Sequence, residues 1–211
     1  MVTIRNETEA DYPRVEDLTR RAFYNLYVPG CHEHYLVHIM RDHRDFLPEL
    51  SFVLELDGEI AGSILYTRAS LEGKNGQRKD ILTFGPLCVA PERQRQGYGK
   101  ALIEHSFAKA RALGWEAVVI FGAPANYVGR GFQCCKRYQV QMEDGSCPTA
   151  MLVKELRPGA LDGGPWVYRG SPVMQIDEEA ARRYDDRLPP MERRVLPCQE
   201  EFYILSHSVL R

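Results

Sequence analysis

The chain has 211 residues, 44% of them hydrophobic, and a formal net charge of −2. That is enough apolar material for a core, and the length fits one domain or one domain with an appendage. The near-neutral charge excludes bulk attraction to nucleic acid or an anionic membrane surface, and no apolar run is long enough to span a bilayer.

The N-terminus, Met1-Val2-Thr3-Ile4-Arg5, lacks the charged-then-apolar pattern of a signal peptide, so a cytoplasmic protein is expected. Residues 2–5 read as a first strand. Thr8 can cap a helix, with an acid, Asp11, three residues on, and Pro13 is tolerated that early. Val15, Leu18, Ala22 and Phe23 then recur at helical spacing and predict one buried face. Residues 24–30 form an aromatic-rich loop. A second helix is expected from His32 to about His43, with Leu36, Ile39, Met40 and His43 as its stripe. His34 and His38 have i,i+4 spacing, but there is no HExxH and the nearby acids have no ligand pattern. Solvated helix histidines are expected here rather than a metal site.

Residues 52–56 read as a strand, and Asp57-Gly58 is the strongest hairpin signal in the chain. The partner strand runs from Ile60 to about Leu71, and residues 72–76 make a second turn. Ile81-Leu82-Thr83-Phe84 continues through Gly85-Pro86 into Leu87-Cys88-Val89, and the Gly-Pro pair predicts a bulge or break in the ladder. After a polar loop, Gly97-Tyr98-Gly99 opens a helix whose apolar face is Ile103, Phe107, Ala110 and Leu113, with Gly114 as a left-handed cap. Residues 117–121 are an almost unbroken apolar run, predicting a central strand covered on both sides. Residues 87–121 are thus a βαβ unit, which implies parallel pairing of its strands.

Residues 126–130 read as a short helical segment, residues 132–142 as a strand, and residues 151–156 as the last strand of the core. Pro158-Gly159 and Gly163-Gly164-Pro165 mark a boundary, dividing residues 1–157 from an appendage, residues 158–211. The appendage is expected to pack on the core or at a dimer contact. It has a strand-like Trp166-Val167-Tyr168, a short helix over residues 177–184, and a strand-like Phe202-Tyr203-Ile204-Leu205.

The six cysteines, Cys31, Cys88, Cys134, Cys135, Cys147 and Cys198, contain no CxxC. They are expected as reduced thiols, several of them buried, with Cys134 and Cys135 on opposite faces of a strand. No His lies near Cys88 in sequence to activate it as a nucleophile.

The loop after Val89 carries the chemistry. A strand feeding a glycine-containing loop and then a helix N-terminus suits an anion, above all a phosphate, because the first N–H groups lack intrahelical partners. Gly97 and Gly99 allow close approach to the backbone, and Arg93, Arg95 and Lys100 add positive charge. No GxxxxGK[ST] is present, and no GxGxxG with a properly placed acid. What remains, Gln94-Arg95-Gln96-Gly97-Tyr98-Gly99, reads Q-x-x-G-x-G and resembles the acetyl-CoA loop of the GNAT superfamily of N-acetyltransferases. Downstream, Tyr127-Val128-Gly129-Arg130-Gly131-Phe132 matches that superfamily's Y-x-x-x-G-F.

The resemblance spans roughly residues 2–156. It implies an α/β (α+β) fold of the acyl-CoA N-acyltransferase type: a mixed, mostly antiparallel sheet with helices on both faces. Acetyl-CoA would wedge between two splayed strands, here residues 87–89 and 118–121. Its pantetheine arm would pair with the backbone of Leu87 and Val89. Its pyrophosphate would lie on the N–H groups of Gln94, Arg95, Gln96, Gly97, Tyr98, Gly99 and Lys100. Tyr127 occupies the superfamily's position for protonating the departing thiolate.

Two departures stand out. Many relatives have a glutamate on the strand before the loop, whereas residues 81–89 contain no carboxylate, leaving Glu55 or a water relay as candidate bases. Many also have Asn seven residues before the tyrosine, where this chain has Ile120; Asn126 does not simply inherit that role. The early helical region usually lines the acceptor pocket, so Tyr24, Tyr27, His32 and Tyr35 are candidate substrate contacts.

The reaction expected is acetyl transfer from acetyl-CoA to an amine, with a small-molecule acceptor, no metal, no nucleic-acid partner, and a homodimer suggested by the superfamily. Two other readings stay open at this point: an acyl-CoA-binding sensor or assembly module without turnover, and a nucleotide-phosphate binder of another family.

Overall fold

The computed structural model describes residues 1–210, the side chain of Asn75 aside. In chain order it has β1 (Val2–Asn6), α1 (Tyr12–Phe23), α2 (Glu33–Met40), β2 (Phe52–Leu56), β3 (Glu59–Glu72), β4 (Arg78–Val89) and α3 (Tyr98–Ala112). There follow β5 (Ala117–Phe121), α4 (Pro124–Tyr127), β6 (Gln133–Cys134), β7 (Val140–Gln141), β8 (Met151–Glu155), β9 (Trp166–Arg169), α5 (Glu178–Asp185) and α6 (Pro197–His207). The sheet runs β1-β2-β3-β4-β5-β8-β6, with β9 paired to β3 and β7. Only β4–β5 and β7–β9 pair in parallel among the described strands, so the sheet is mixed and mostly antiparallel, as expected.

Alternation along the strands distributes the core over two faces. Phe52 and Leu54 pack with Ile64, Tyr66, Leu82 and Phe84 under Leu102, Ile103 and Phe107 of α3. Val53 and Leu65 face the other way, against Val15 of α1 and Leu36, Val37 and Met40 of α2. The helix stripes differ slightly from expectation. Leu102 is fully buried in α3, while Leu113 is 46% exposed because it is already the C-cap residue.

The β2–β3 hairpin turns through Asp57 and Gly58, both at positive φ (52° and 90°), the pattern in which the turn's own twist matches that of the strands. In β4, Ile64 opposes Leu87 and Leu65 opposes Gly85, so Pro86 is the extra residue of a bulge. Proline has no N–H to leave unpaired there, and the expected irregularity is where the sequence put it.

The C-terminal part differs most from expectation. Residues 132–142 are not one strand: two short strands flank a 3-10 turn, Cys135–Tyr138. Alternation therefore does not apply to Cys134 and Cys135, and both pack in the same cluster with Val140, Met151 and Trp166. All six cysteines are free thiols. Phe202-Tyr203-Ile204-Leu205 is helical, inside α6, whose start carries Pro197 at the position where proline suits a helix. The strand-like segment at Trp166 is a strand, and it joins the main sheet. β2 holds the edge of β3 up to Ile64, and β9 takes that edge from Ser70 to Glu72. Trp166 is fully buried, with its Nε1–H donating to Leu161 O at 2.8 Å.

Asp177 caps α5 by accepting from the Glu179 and Ala180 N–H groups (2.9 and 3.0 Å). At the other end of α5, buried Asp185 receives Arg20 Nε at 2.7 Å and the Tyr24 hydroxyl at 3.2 Å. These bonds fasten residues 178–185 to α1. No helix among the described residues is long and apolar enough to cross a membrane.

Candidate functional site

β4 and α3 position the loop between them. Beyond Val89, the Ala90 N–H donates to Ala61 O at 2.8 Å, tying the strand end to β3. Pro91–Arg93 forms a 3-10 turn, and the Gln94 side-chain amide reaches back to Val89 O at 3.2 Å. Arg95 (φ 63°) and Gly97 (φ 90°) are both left-handed, and Gly97 is the N-cap of α3. Turns of this kind gather successive N–H groups toward one point and make anion-receptive concavities. The first helical bond runs from Ala101 N to Gly97 O at 3.0 Å, so the N–H groups of Tyr98, Gly99 and Lys100 precede the ladder. Gly97 supplies no side-chain cap. Residues 91–97 and Lys100 are exposed, while Tyr98 and Gly99 are half-buried. A Cβ on Gly99 would stand 3.7 Å from Val89 Cγ2, so the helix start rests on the strand end. Gln94 through Lys100 thus lie together beside half-buried Leu87 and Val89.

β4 and β5 part early. Leu82↔Val118 is the parallel partner pair recorded among the described residues; β4 then runs on to Val89 and β5 to Phe121 without pairing. An open cleft of about 570 Å³ lies along this gap, lined by Thr83, Phe84 and Gly85 of β4, Phe121 of β5, and Tyr168 and Arg169 of β9. Residues after 157 therefore form part of its wall. A Cβ on Gly85 would sit 3.2 Å from Met174 Cε and Sδ; Met174 fills the space that a longer residue there would need.

Tyr127 closes α4. Its ring packs against Phe84 and Phe132, with centroids 5.9 and 5.7 Å away. Burial pushes its hydroxyl up to about 12. The Gln94–Lys100 loop and Tyr127 follow the carboxyl ends of the two parallel strands, β4 and β5.

The other candidates sort differently. Glu55 is held by Arg5 (Nη2 2.6 Å, Nε 3.1 Å) at the β1–β2 edge, where it is committed to an ion pair, so it is set aside as a base. Ile120 is a core residue, 2% exposed, and Asn126 is exposed on α4. Tyr24 is committed to Asp185, and Tyr35 leans on Tyr184 of α5 (centroids 5.4 Å apart). His32 is half-buried. Tyr27 stacks its ring on Phe202 of α6, with centroids 4.4 Å apart. Burial first, and then the neighbouring Tyr127, Glu33 and Cys31, hold its hydroxyl well above the usual tyrosine range.

The expectation of solvated histidines fails for His34, which is 1% exposed. Its Nε2 lies 3.0 Å from Asp185 Oδ1, off the hydrogen-bond direction. Burial lowers it to about 4 in spite of that carboxylate, so it is neutral at pH 7. One chemically important group carried no sequence signal at all. Glu33 reads as an ordinary acid in the first turn of a helix, yet its Oε2 is buried without a hydrogen-bond partner. Burial pushes its carboxyl up to about 7.

Comparison with known proteins places this architecture. The model of the acetyltransferase (GNAT) family matches residues 15–132, which run from α1 through Phe132 and include both motifs. The chain belongs to the GNAT family. A curated relative, the uncharacterized N-acetyltransferase YjhQ of Escherichia coli (strain K12), is 35% identical over 89 residues, 42% of this chain. The GNAT chain spans about half the length of that relative (48%). Among solved structures, the GNAT family N-acetyltransferase YhbS of Escherichia coli in complex with CoA superposes with a TM-score of 0.72 at 23% identity, covering 83% of this chain and 93% of that one. A GNAT family acetyltransferase from Brucella melitensis in complex with acetyl-CoA gives 0.65 at 22% identity, covering 83% and 99%. At these identities the two structures establish a shared GNAT fold.

Proposed function

We propose that this GNAT protein transfers an acetyl group from acetyl-CoA to the amine of a small-molecule acceptor. The observation that carries the reading is the uncapped, glycine-opened start of α3 beside a strand end that β5 leaves unpaired, in a member of an acetyltransferase family. Two proteins of the same fold are described in complex with CoA and acetyl-CoA.

On this reading the pyrophosphate rests on the N–H groups from Gln94 to Lys100, and the pantetheine amides follow the backbone of Leu87 and Val89. The acceptor enters along the cleft lined by Phe84, Phe121 and Tyr168. Holding amine and thioester in line supplies much of the acceleration, and a backbone N–H near Val89 stabilises the developing oxyanion. With the Tyr127 hydroxyl near 12 and a thiol near 8.5, full proton transfer to the thiolate is uphill by roughly 5 kcal/mol. Tyr127 therefore acts as a hydrogen-bond donor to the departing sulfur.

The test is the melting temperature with acetyl-CoA, CoA and ATP in parallel. At a hundred times its Kd a ligand stabilises the fold by about 2.7 kcal/mol, a shift of several degrees. A shift with acetyl-CoA and CoA, and none with ATP, is expected, followed by thiol release when amines are added. No shift with acetyl-CoA overturns the reading.

A further inference from the structure

Glu33 opens α2, where an acid facing solvent would be the ordinary arrangement at a helix N-terminus. Here the carboxyl end turns inward, and Oε2 meets no partner. An ionised carboxylate without a partner is costly to bury, so its position calls for a reason beyond packing.

The neighbours give its place in the fold. Cys31 is buried with Leu18, Phe23, Cys88 and Ala90, so the segment entering α2 lies against the last residues of β4. Tyr27 packs on the same cluster. The Tyr27 hydroxyl is held up by burial first and then by the neighbouring charges of Tyr127, Glu33 and Cys31. Tyr127 comes from α4, beyond β5; Glu33 and Tyr27 come from the α1–α2 connection. Tyr127 packs on Phe84, which lines the opening between β4 and β5, and the segment of Tyr27 and Cys31 that leads into Glu33 packs on Cys88 and Ala90 farther along β4. Within that opening residues 81–89 supply no acid, and Met174 crowds the space above Gly85.

We propose that Glu33 is the general base of acetyl transfer, taking a proton from the acceptor's ammonium group where β4 and β5 part. The proposal rests on the acetyltransferase reading above. In the step, the Glu33 carboxylate accepts one proton and leaves a neutral amine. The nitrogen lone pair forms the C–N bond to the thioester carbon, and the C–S electron pair leaves on sulfur. Tyr127 donates to that sulfur. The second nitrogen proton passes through water to the sulfur, which Tyr127 holds by its hydrogen bond, and Glu33 releases its proton to solvent. The net products are the acetamide, free CoA thiol and one proton. Besides its own backbone N–H, the groups facing Glu33 are Cys31 and Tyr27, neither of which is a cation. Burial raises the carboxyl against the opposing hydrogen bonds of its own backbone N–H and Cys31, toward the pH at which a base is most useful.

The experiment compares wild type with Glu33→Gln, which keeps the shape and removes the charge. Thiol release from acetyl-CoA is followed with n-butylamine as the acceptor probe. Glutamine is expected to slow release about 10²-fold or more and to abolish the rise in rate centred near pH 7. Acetyl-CoA should raise the melting temperature of both proteins equally. Equal stabilisation with rates within about threefold and the same pH profile overturns the role of Glu33 alone. Failure of acetyl-CoA to stabilise either protein instead overturns the acetyltransferase reading. A second measurement needs no acceptor: carbon-13 NMR of the glutamate carboxyls. One resonance titrating near pH 7 and missing in Glu33→Gln is expected; its absence from the wild type overturns the proposal.

Discussion

The ring of Tyr127 lies so close over Gly122 that a Cβ on the glycine would stand 2.5 Å from Tyr127 Cε2. The glycine that ends β5 therefore sets the position of the tyrosine that ends α4. Gly122→Ala is expected to push the ring aside, with an overpacking penalty of about 1–3 kcal/mol. Thiol release should fall while acetyl-CoA affinity holds, since the loop at α3 is untouched. An unchanged rate in the alanine variant would separate Tyr127's placement from turnover.

Tyr127→Phe removes the hydroxyl and keeps the ring between Phe84 and Phe132. The fold should be nearly unaffected, because the aromatic contacts remain. A fall in rate of about 10²-fold with intact acetyl-CoA stabilisation is expected. A protein that only binds acyl-CoA has no rate to lose, so the same pair of measurements distinguishes a catalyst from a sensor.

Gly97 sits at φ 90°, and a Cβ there would meet nothing within 4 Å. Any effect of Gly97→Ala is consequently a backbone effect, not a crowding effect. It should destabilise the protein by about 1–2 kcal/mol and weaken acetyl-CoA binding by turning the α3 N–H groups. Denaturant midpoints and the ligand-induced melting shift measure the two separately.

Arg20 and Asp185 are 5% and 4% exposed. Arg20→Ala strands the carboxylate and should destabilise the protein by about 3–5 kcal/mol. Because this pair fastens α5 to α1, faster proteolysis of residues 178–210 is expected before global unfolding. Arg20→Ala combined with Asp185→Leu removes the stranded charge and should recover much of the loss, read as a double-mutant cycle in urea.

His34 and Glu33 pull the pH dependence of stability in opposite directions. His34 falls from 6.5 to about 4 on folding, so the unfolded chain binds more protons between those values and stability is lost on acidification through that window. Glu33 rises from 4.5 to about 7, so the folded chain binds more protons there and stability is lost as pH climbs through that window. Between about pH 4.5 and 6.5 the two contributions offset one another. Glu33→Gln leaves the histidine uncompensated: its melting temperature should fall more steeply than that of the wild type as pH drops from about 6.5 to about 4.5.

Several features of the fold were legible in the linear chain because short-range geometry decides them. Asp57-Gly58 turns the hairpin, Pro86 makes the bulge and Gly97 opens α3. Each depends on the φ angles and hydrogen bonds of a few adjacent residues. Reading failed where short stretches were taken as strands. Residues 132–142 break at a 3-10 turn, and residues 202–205 lie in a helix. Short apolar runs suit either conformation, and packing chooses between them.

By itself the sequence determined the order of the elements around the α3 loop, the two motifs and, through them, the family. Tertiary structure alone decided which polar groups lost their water. His34 and Asp185 are 151 residues apart yet buried together, Tyr27 stacks on Phe202, and β9 returns from beyond residue 165 to the edge of β3. Desolvation depends on every atom that packs around a group, however distant in the chain, so Glu33 looks like any helix-starting acid until the fold closes over its carboxyl.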